Sequence, residues 1–255
     1  MYPILFKIGN ISVYSYGTIL YIDILLSLYL LHLFSKRYKI DIEKVFGSFL
    51  IVLISMYLGG KIGYLIFNDY KYTSFWKMLF DIISPFEGGL TIIGSIFFAI
   101  LGLMVSSKIY KVNFLELSDL FALVAPFSVF IGRIGCLLAG CCYGKESTWG
   151  IFLHGKIRYP VQIIESLLSL LVFIYFLYTL KSKSYPGRYL LSFLLLYSMI
   201  RFIVEFFRES ERVFLFFSWA QIFSILIMLV SGITILTIRR GGDINNARNK
   251  YNDQK

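Results

Sequence analysis

Residues 188–208 read RYLLSFLLLYSMIRFIVEFFR. A bilayer is crossed by about 20 mostly apolar residues in helical form, and this run has that length and character. Within it stand Tyr197, Arg201, Glu205 and Arg208, separated by four, four and three residues. That spacing puts all four on one face of a helix. The stripe covers about three turns, roughly 16 Å at 1.5 Å rise per residue. A charge at the centre of a membrane helix costs about 2.5–3.5 kcal/mol, so such a row is tolerated chiefly where it pairs or lines a polar cavity. The stretch predicts a spanning helix with a polar inner face.

Six further segments have the same length and character: about 14–33, 46–67, 88–106, 117–139, 161–180 and 217–237, with the opening helix taken as 188–207. The fold class expected is all-α, a polytopic membrane helical bundle of about seven transmembrane helices. One transmembrane domain is expected over 1–238, followed by a basic cytoplasmic tail over 239–255. Composition agrees: of 255 residues, 58% are hydrophobic, 18% aromatic and only 16% charged, with a mean hydropathy of +0.73. A water-soluble domain of this size has no use for so much apolar surface. The first apolar span is long and no small-residue cleavage site follows it, so it is expected to stay in the membrane.

The formal net charge of +10 invites a nucleic-acid reading. The basic residues, however, collect in the gaps between apolar runs and in the tail, without interleaved base-stacking aromatics, so no nucleic-acid partner is expected. One alternate set of gaps, including Lys36, Arg37, Lys39 and Lys44 and the tail from Arg239, receives 14 of the Lys and Arg residues; the other set receives 8. The richer side marks the cytoplasm. The amino terminus is then expected outside and the carboxyl terminus inside, in a multi-pass membrane protein surrounded by membrane lipids.

The remaining basic residues, Lys61, Arg133 and Arg201, fall within spans or at their edges, together with Asp23, Asp119, Glu165 and Glu205. Structural pairing accounts for some of them; a polar cavity inside the bundle accounts for their number. The fourth span ends in Gly132-Arg133-Ile134-Gly135-Cys136, then Gly140-Cys141-Cys142-Tyr143-Gly144. Its glycines permit close backbone approach beside a fixed guanidinium, which suits an anionic guest. Two guanidiniums, Arg133 and Arg201, with Arg208 extending the row, suit a phosphate headgroup. The fifth span opens at Pro160, and Gln162 and Glu165 share its face, making Glu165 a candidate partner for either arginine. In the second span, Gly59, Gly60 and Gly63 favour close helix packing, and Lys61 either snorkels outward or joins the cavity.

Cys136, Cys141 and Cys142 admit three readings: packing residues, metal ligands, or a reactive thiol beside Arg133. Spacings of five and one do not match chelating cysteine pairs, and neither His32 nor His154 sits nearby in sequence, so packing is favoured and no metal or cofactor is expected.

In the order of its motifs the chain resembles the bacterial prolipoprotein diacylglyceryl transferase family. The resemblance rests on Tyr14-Ser15-Tyr16-Gly17, Gly59-Gly60-Lys61-Ile62-Gly63-Tyr64, Glu87-Gly88-Gly89, Asp119 before Pro126, Gly132-Arg133-Ile134-Gly135, Tyr159-Pro160 with Gln162 and Glu165, Tyr197 with Arg201 to Arg208, and Gln221. It implies transfer of a diacylglyceryl group from phosphatidylglycerol to the lipobox cysteine of a preprolipoprotein signal peptide, as a thioether, with release of glycerol phosphate. It further implies Arg133, Arg201 and Glu205 as catalytic, with Tyr16, Tyr197, Arg208, Gly132, Gly135, Gln162, Glu165 and Glu87 binding substrate. Three positions depart from the family pattern: its usual histidine falls on Ile93, and its usual asparagine and glutamate fall on Cys136 and Cys141.

Overall fold

The computed structural model describes residues 2–9, 11–67, 74, 76, 80, 91–180, 185–210 and 217–253. In chain order they form β1 (Ile4–Ile8), β2 (Ile11–Tyr14), α1 (Ser15–Tyr38), α2 (Ile42–Phe67), α3 (Ile92–Ile109), α4 (Phe114–Ala139), β3 (Glu146–Leu153), β4 (Lys156–Arg158), α5 (Val161–Thr179), α6 (Arg188–Phe207) and α7 (Trp219–Asp253). Among the described residues there are thus seven helices, of which six are long and apolar enough to cross a membrane. The exception is α3, whose described apolar run is Gly94–Ile109. The span expected over 88–106 begins in residues outside those described. The fold is a polytopic helical bundle.

Two antiparallel hairpins, β1–β2 and β3–β4, are added to the expected helices. The second joins α4 to α5 and turns at His154 and Gly155, both with positive φ (52° and 79°). Paired positive-φ residues give the turn whose twist matches that of the two strands.

The distribution of side chains is that of a molecule solvated by lipid. Leu171, Ile203, Val230 and Ile233 are exposed, while Ser166, Ser169, Ser198, Ser231, Gln162 and Glu165 are buried. Water would favour the opposite arrangement; in hydrocarbon, polar groups gain by turning inward to find partners. Local rules hold at the helix ends. The Asn113 side chain accepts from the backbone N–H groups of Leu115 (2.9 Å) and Glu116 (3.4 Å), capping α4.

The chain divides into two compact units, residues 1–27 with 121–255, and residues 28–120. In the second, α2 lies against α3. A Cβ on Gly59 would strike the Gly94 carbonyl oxygen and the Phe98 side chain, and one on Gly94 would strike the Gly59 carbonyl. Only glycine permits this approach. Lys61 does not snorkel outward: it is buried, with its ammonium 5.8 Å from the centre of the Tyr57 ring. Asp119 is also buried in this unit. In the first unit, Ser27 Oγ donates to Asp23 Oδ1 (3.2 Å) and lies 2.8 Å from Ser128 Oγ, so Asp23 belongs to a polar tie between α1 and α4.

Candidate active site

Helical periodicity on α4, α5 and α6 brings Arg133, Glu165, Tyr197, Arg201 and Glu205 of the first unit into one row, which Arg208, one residue past α6 in extended backbone, continues. Arg133 on α4 donates from Nη2 to Glu165 Oε1 on α5 at 2.7 Å. Glu165 also accepts from Tyr197 Oη (3.0 Å, to Oε1) and from Arg201 Nη1 (3.4 Å, to Oε2), both on α6. One helical turn on, Arg201 Nη2 pairs with Glu205 Oε2 at 2.8 Å. Arg208 Nη1 closes the row on the same oxygen at 3.7 Å. The order is Arg133, Glu165, Arg201, Glu205, Arg208.

The row is dry. The side chains of Glu165 and Glu205 are 3% exposed, those of Arg133 and Arg201 11%, and that of Arg208 22%. At such burial each ion depends on its neighbours, since removing one partner of a buried pair leaves an uncompensated charge. Three guanidiniums face two carboxylates, so the row carries one net positive charge. Ser218 fixes the far end by donating from Oγ to Glu205 Oε1 at 3.0 Å. Nothing in the spacing of the row pointed to Ser218, which precedes α7 and shares that short turn with Gln221.

Of the other expected site residues, Tyr16, Gly132, Gly135 and Gln162 lie on α1, α4 and α5 of the same unit. Tyr16 on α1 packs at Gly135, where a Cβ would come within 3.2 Å of both Tyr16 and Ile19. A Cβ on Gly132 would meet nothing within 4 Å. Gln162 is buried on α5; its Nε2 donates to the Cys141 carbonyl at 2.9 Å, while its Oε1 has no hydrogen-bond partner among the described residues. Glu87 lies outside the described residues, and so does the side chain of Ile93. A groove of about 800 Å³ lies apart from the row, lined by Leu171, Tyr175, Arg188 and Leu195, and holds none of the expected residues.

A second constellation follows the end of α4. Arg158 on β4 is buried, donates to the Gly144 carbonyl at 3.1 Å, pairs with Glu209, and stacks 4.3 Å from the centre of the Tyr143 ring. The β-bridge between Gly144 and Arg208 ties this loop to the end of α6. By sequence Arg158 is one more basic residue in a gap between apolar runs; what identifies it as structural is the hairpin, which turns it inward. Where α4 passes into this loop, the sulfurs of Cys136, on the helix, and of Cys141 and Cys142, after it, lie within 4.8 Å of one another. Thiol hydrogen bonds from Cys136 and Cys141 hold Cys142 well below its ordinary pKa against the effect of burial, with Arg208 and Arg133 adding to the shift.

Comparison with known proteins matches this geometry to a lineage. Residues 3–238 match the family model described as prolipoprotein diacylglyceryl transferase. A Clostridium perfringens protein named phosphatidylglycerol–prolipoprotein diacylglyceryl transferase 2 is 32% identical over 251 residues, covering 93% of this chain and 95% of its own. Proteins named phosphatidylglycerol–prolipoprotein diacylglyceryl transferase from Campylobacter jejuni (32% identity, 92% and 91% coverage) and Desulfotalea psychrophila (31%, 82% and 81%) are similar as well. Matched almost end to end, with a buried row of arginines and carboxylates across three of its helices, the chain belongs to the prolipoprotein diacylglyceryl transferase family.

Proposed function

We propose that this protein transfers the diacylglyceryl group of phosphatidylglycerol to the thiol of a lipobox cysteine in a preprolipoprotein signal peptide, releasing glycerol phosphate. The observation that carries the reading is the single net positive charge of the buried row from Arg133 to Arg208, which one phosphodiester neutralises. Cleavage of the glycerol carbon to phosphate oxygen bond turns that diester into a monoester with a second negative charge. Guanidiniums held in a water-poor setting stabilise such growing charge better than water does. The relatives' names supply the same substrates.

In this reading Arg133 and Arg201 hold the phosphate and receive the leaving oxygen, and Glu205 orients Arg201. Glu165 and Tyr197 hold both arginines in register, and Arg208 and Tyr16 border the headgroup. The unpartnered Gln162 Oε1 is an acceptor for a headgroup hydroxyl; a buried acceptor left alone costs about 1–3 kcal/mol. Gly132 and Gly135 keep side chains off the α4 wall, and the family resemblance adds Glu87 to the substrate-binding residues. The protein works in the bacterial plasma membrane, amino terminus outside, where both substrates lie.

A second reading is favoured by Ile93, Cys136 and Cys141, which stand where the family usually has histidine, asparagine and glutamate. It is a membrane protein that binds an anionic lipid without transfer. Complementation of a bacterium lacking its own transferase separates the two. Restored lipoprotein maturation, lost again with Arg201→Ala, is the expected result. No maturation from a stably inserted wild-type chain, where a family enzyme rescues the same strain, would end the transferase reading.

A further inference from the structure

Cys136 and Cys141 look too far apart in sequence to act together. The end of α4 brings them together. Gly140, with φ at 75°, donates to the Leu137 carbonyl at 3.2 Å, and Cys141 donates to the Cys136 carbonyl at 3.1 Å. This pair of bonds defines a helix end in which the first residue after the left-handed glycine folds back on the residue five before it. A spacing of five is therefore a contact spacing here. Cys142 follows with φ at 57°, left-handed for a residue with a side chain, and completes the trio. The loop is held from two sides: Gln162 donates to the Cys141 carbonyl, and His154 Nε2 sits 2.8 Å from the Gly140 carbonyl.

Tetrahedral zinc, with bonds to sulfur of about 2.3 Å, spaces its sulfurs by about 3.8 Å. Three thiols already within 4.8 Å of one another reach that arrangement by small rotations. Zinc sites with three protein ligands keep their fourth position for water or substrate. Cys136 is buried and Cys141 reaches the surface, so the trio runs from the interior to the outside. The place is also adjacent to the ion row, because Gln162 and Glu165 are three residues apart on α5, about 4.5 Å along the axis.

We propose that Cys136, Cys141 and Cys142 bind a zinc ion whose fourth position takes the lipobox thiol as a thiolate. The proposal rests on the transferase reading above. On binding, the acceptor thiol loses its proton to solvent and forms a zinc–sulfur bond, since a thiol coordinated to zinc is deprotonated outright. Its sulfur lone pair then attacks the glycerol carbon. The carbon–sulfur bond forms as the carbon–oxygen bond breaks, and that electron pair goes to the phosphate. The neutral thioether leaves the zinc, and nothing is oxidised or reduced. One negative charge thus moves from the zinc-bound sulfur toward Arg133 and Arg201. This supplies the activated thiol in a chain that, by the family resemblance, has Ile93 and Cys141 in place of a histidine and a glutamate able to take a proton.

The test is zinc content and cobalt spectroscopy of the purified full-length chain, beside transfer to a lipobox peptide in phosphatidylglycerol vesicles. The expected result is one zinc per chain and, after cobalt exchange, a thiolate-to-cobalt charge-transfer band. Cys141→Ser, at the surface member, should lower zinc retention against a chelator by about tenfold or more. The triple Cys→Ser variant should lose zinc, the cobalt band and transfer together while the helical content stays unchanged. Wild-type protein that takes up no zinc from zinc-supplemented buffer overturns the proposal, whether or not it transfers lipid. Zinc bound at one equivalent, with transfer unaffected by its removal, overturns the thiol-binding role. Zinc bound through the three cysteines with no transfer under any condition sinks the transferase reading instead and leaves the metal site standing.

Discussion

The row from Arg133 to Arg208 and the turn from Gly140 to Cys142 lie at neighbouring levels of the same helices, yet they are built in opposite ways. Periodicity assembles the row. Tyr197, Arg201 and Glu205 share a face of α6, and Glu165, in the second turn of α5, accepts from both Arg133 and Arg201. The turn is assembled where periodicity stops, by a left-handed glycine and the backbone bonds that end α4. A helix face is tolerant of local change and intolerant of losing a charge; a helix end is the reverse.

The largest effect is expected at the centre of the row. Glu165→Ala strips a partner from Arg133 and Arg201 at once, and breaking a buried pair costs about 3–5 kcal/mol. The expected outcome is a steep fall in the thermal midpoint in detergent, and a midpoint within a degree or two of wild type would break the comparison. Arg201→Lys keeps the charge but loses the planar fork that spans Glu165 and Glu205. Turnover should fall about 10- to 100-fold with the fold intact, since lysine does not replace arginine at a bidentate site. Steady-state rates on a lipobox peptide measure it.

The same contrast explains what was legible in the sequence. The helices and most of the row could be read because hydropathy and the four, four spacing of Tyr197, Arg201 and Glu205 are one-dimensional patterns that a helix converts directly into a face; Arg208, expected on that face, instead lies one residue past α6 in extended backbone and reaches Glu205 from there. Ser218 could not be read, because its bond to Glu205 depends on where α7 begins. Arg158 was hidden among loop charges because only the β3–β4 hairpin turns it inward. The cysteines gave a spacing that means nothing on a continuing helix and a contact at a helix end. Gly140 was the available sign: glycine at that place after an apolar helix is the usual residue of a left-handed helix end.

Smaller effects sharpen the comparison from the other side. Gly140→Ala forces a side chain into the left-handed region, at about 1–2 kcal/mol. It should disperse the thiols without disturbing the row, seen as reduced oxidative cross-linking of Cys136 to Cys141 with a midpoint lowered by only a few degrees. Gly132→Ala is the mildest. Its Cβ would enter open space, so stability should change by less than about 0.5 kcal/mol. Any loss of transfer in that variant would then report the methyl group's encroachment on bound lipid.

The central claim is that the buried row binds the phosphate of the lipid donor and that the transferred group leaves from it. It is tested most directly by mass spectrometry of a lipobox peptide incubated with the full-length protein in vesicles of phosphatidylglycerol or, separately, of phosphatidylcholine. The account predicts diacylglyceryl-modified peptide from phosphatidylglycerol vesicles alone, with a loss of about 100-fold or more in Arg201→Ala. Equal product from Arg201→Ala, or none from the wild type while a family enzyme works alongside, would contradict it.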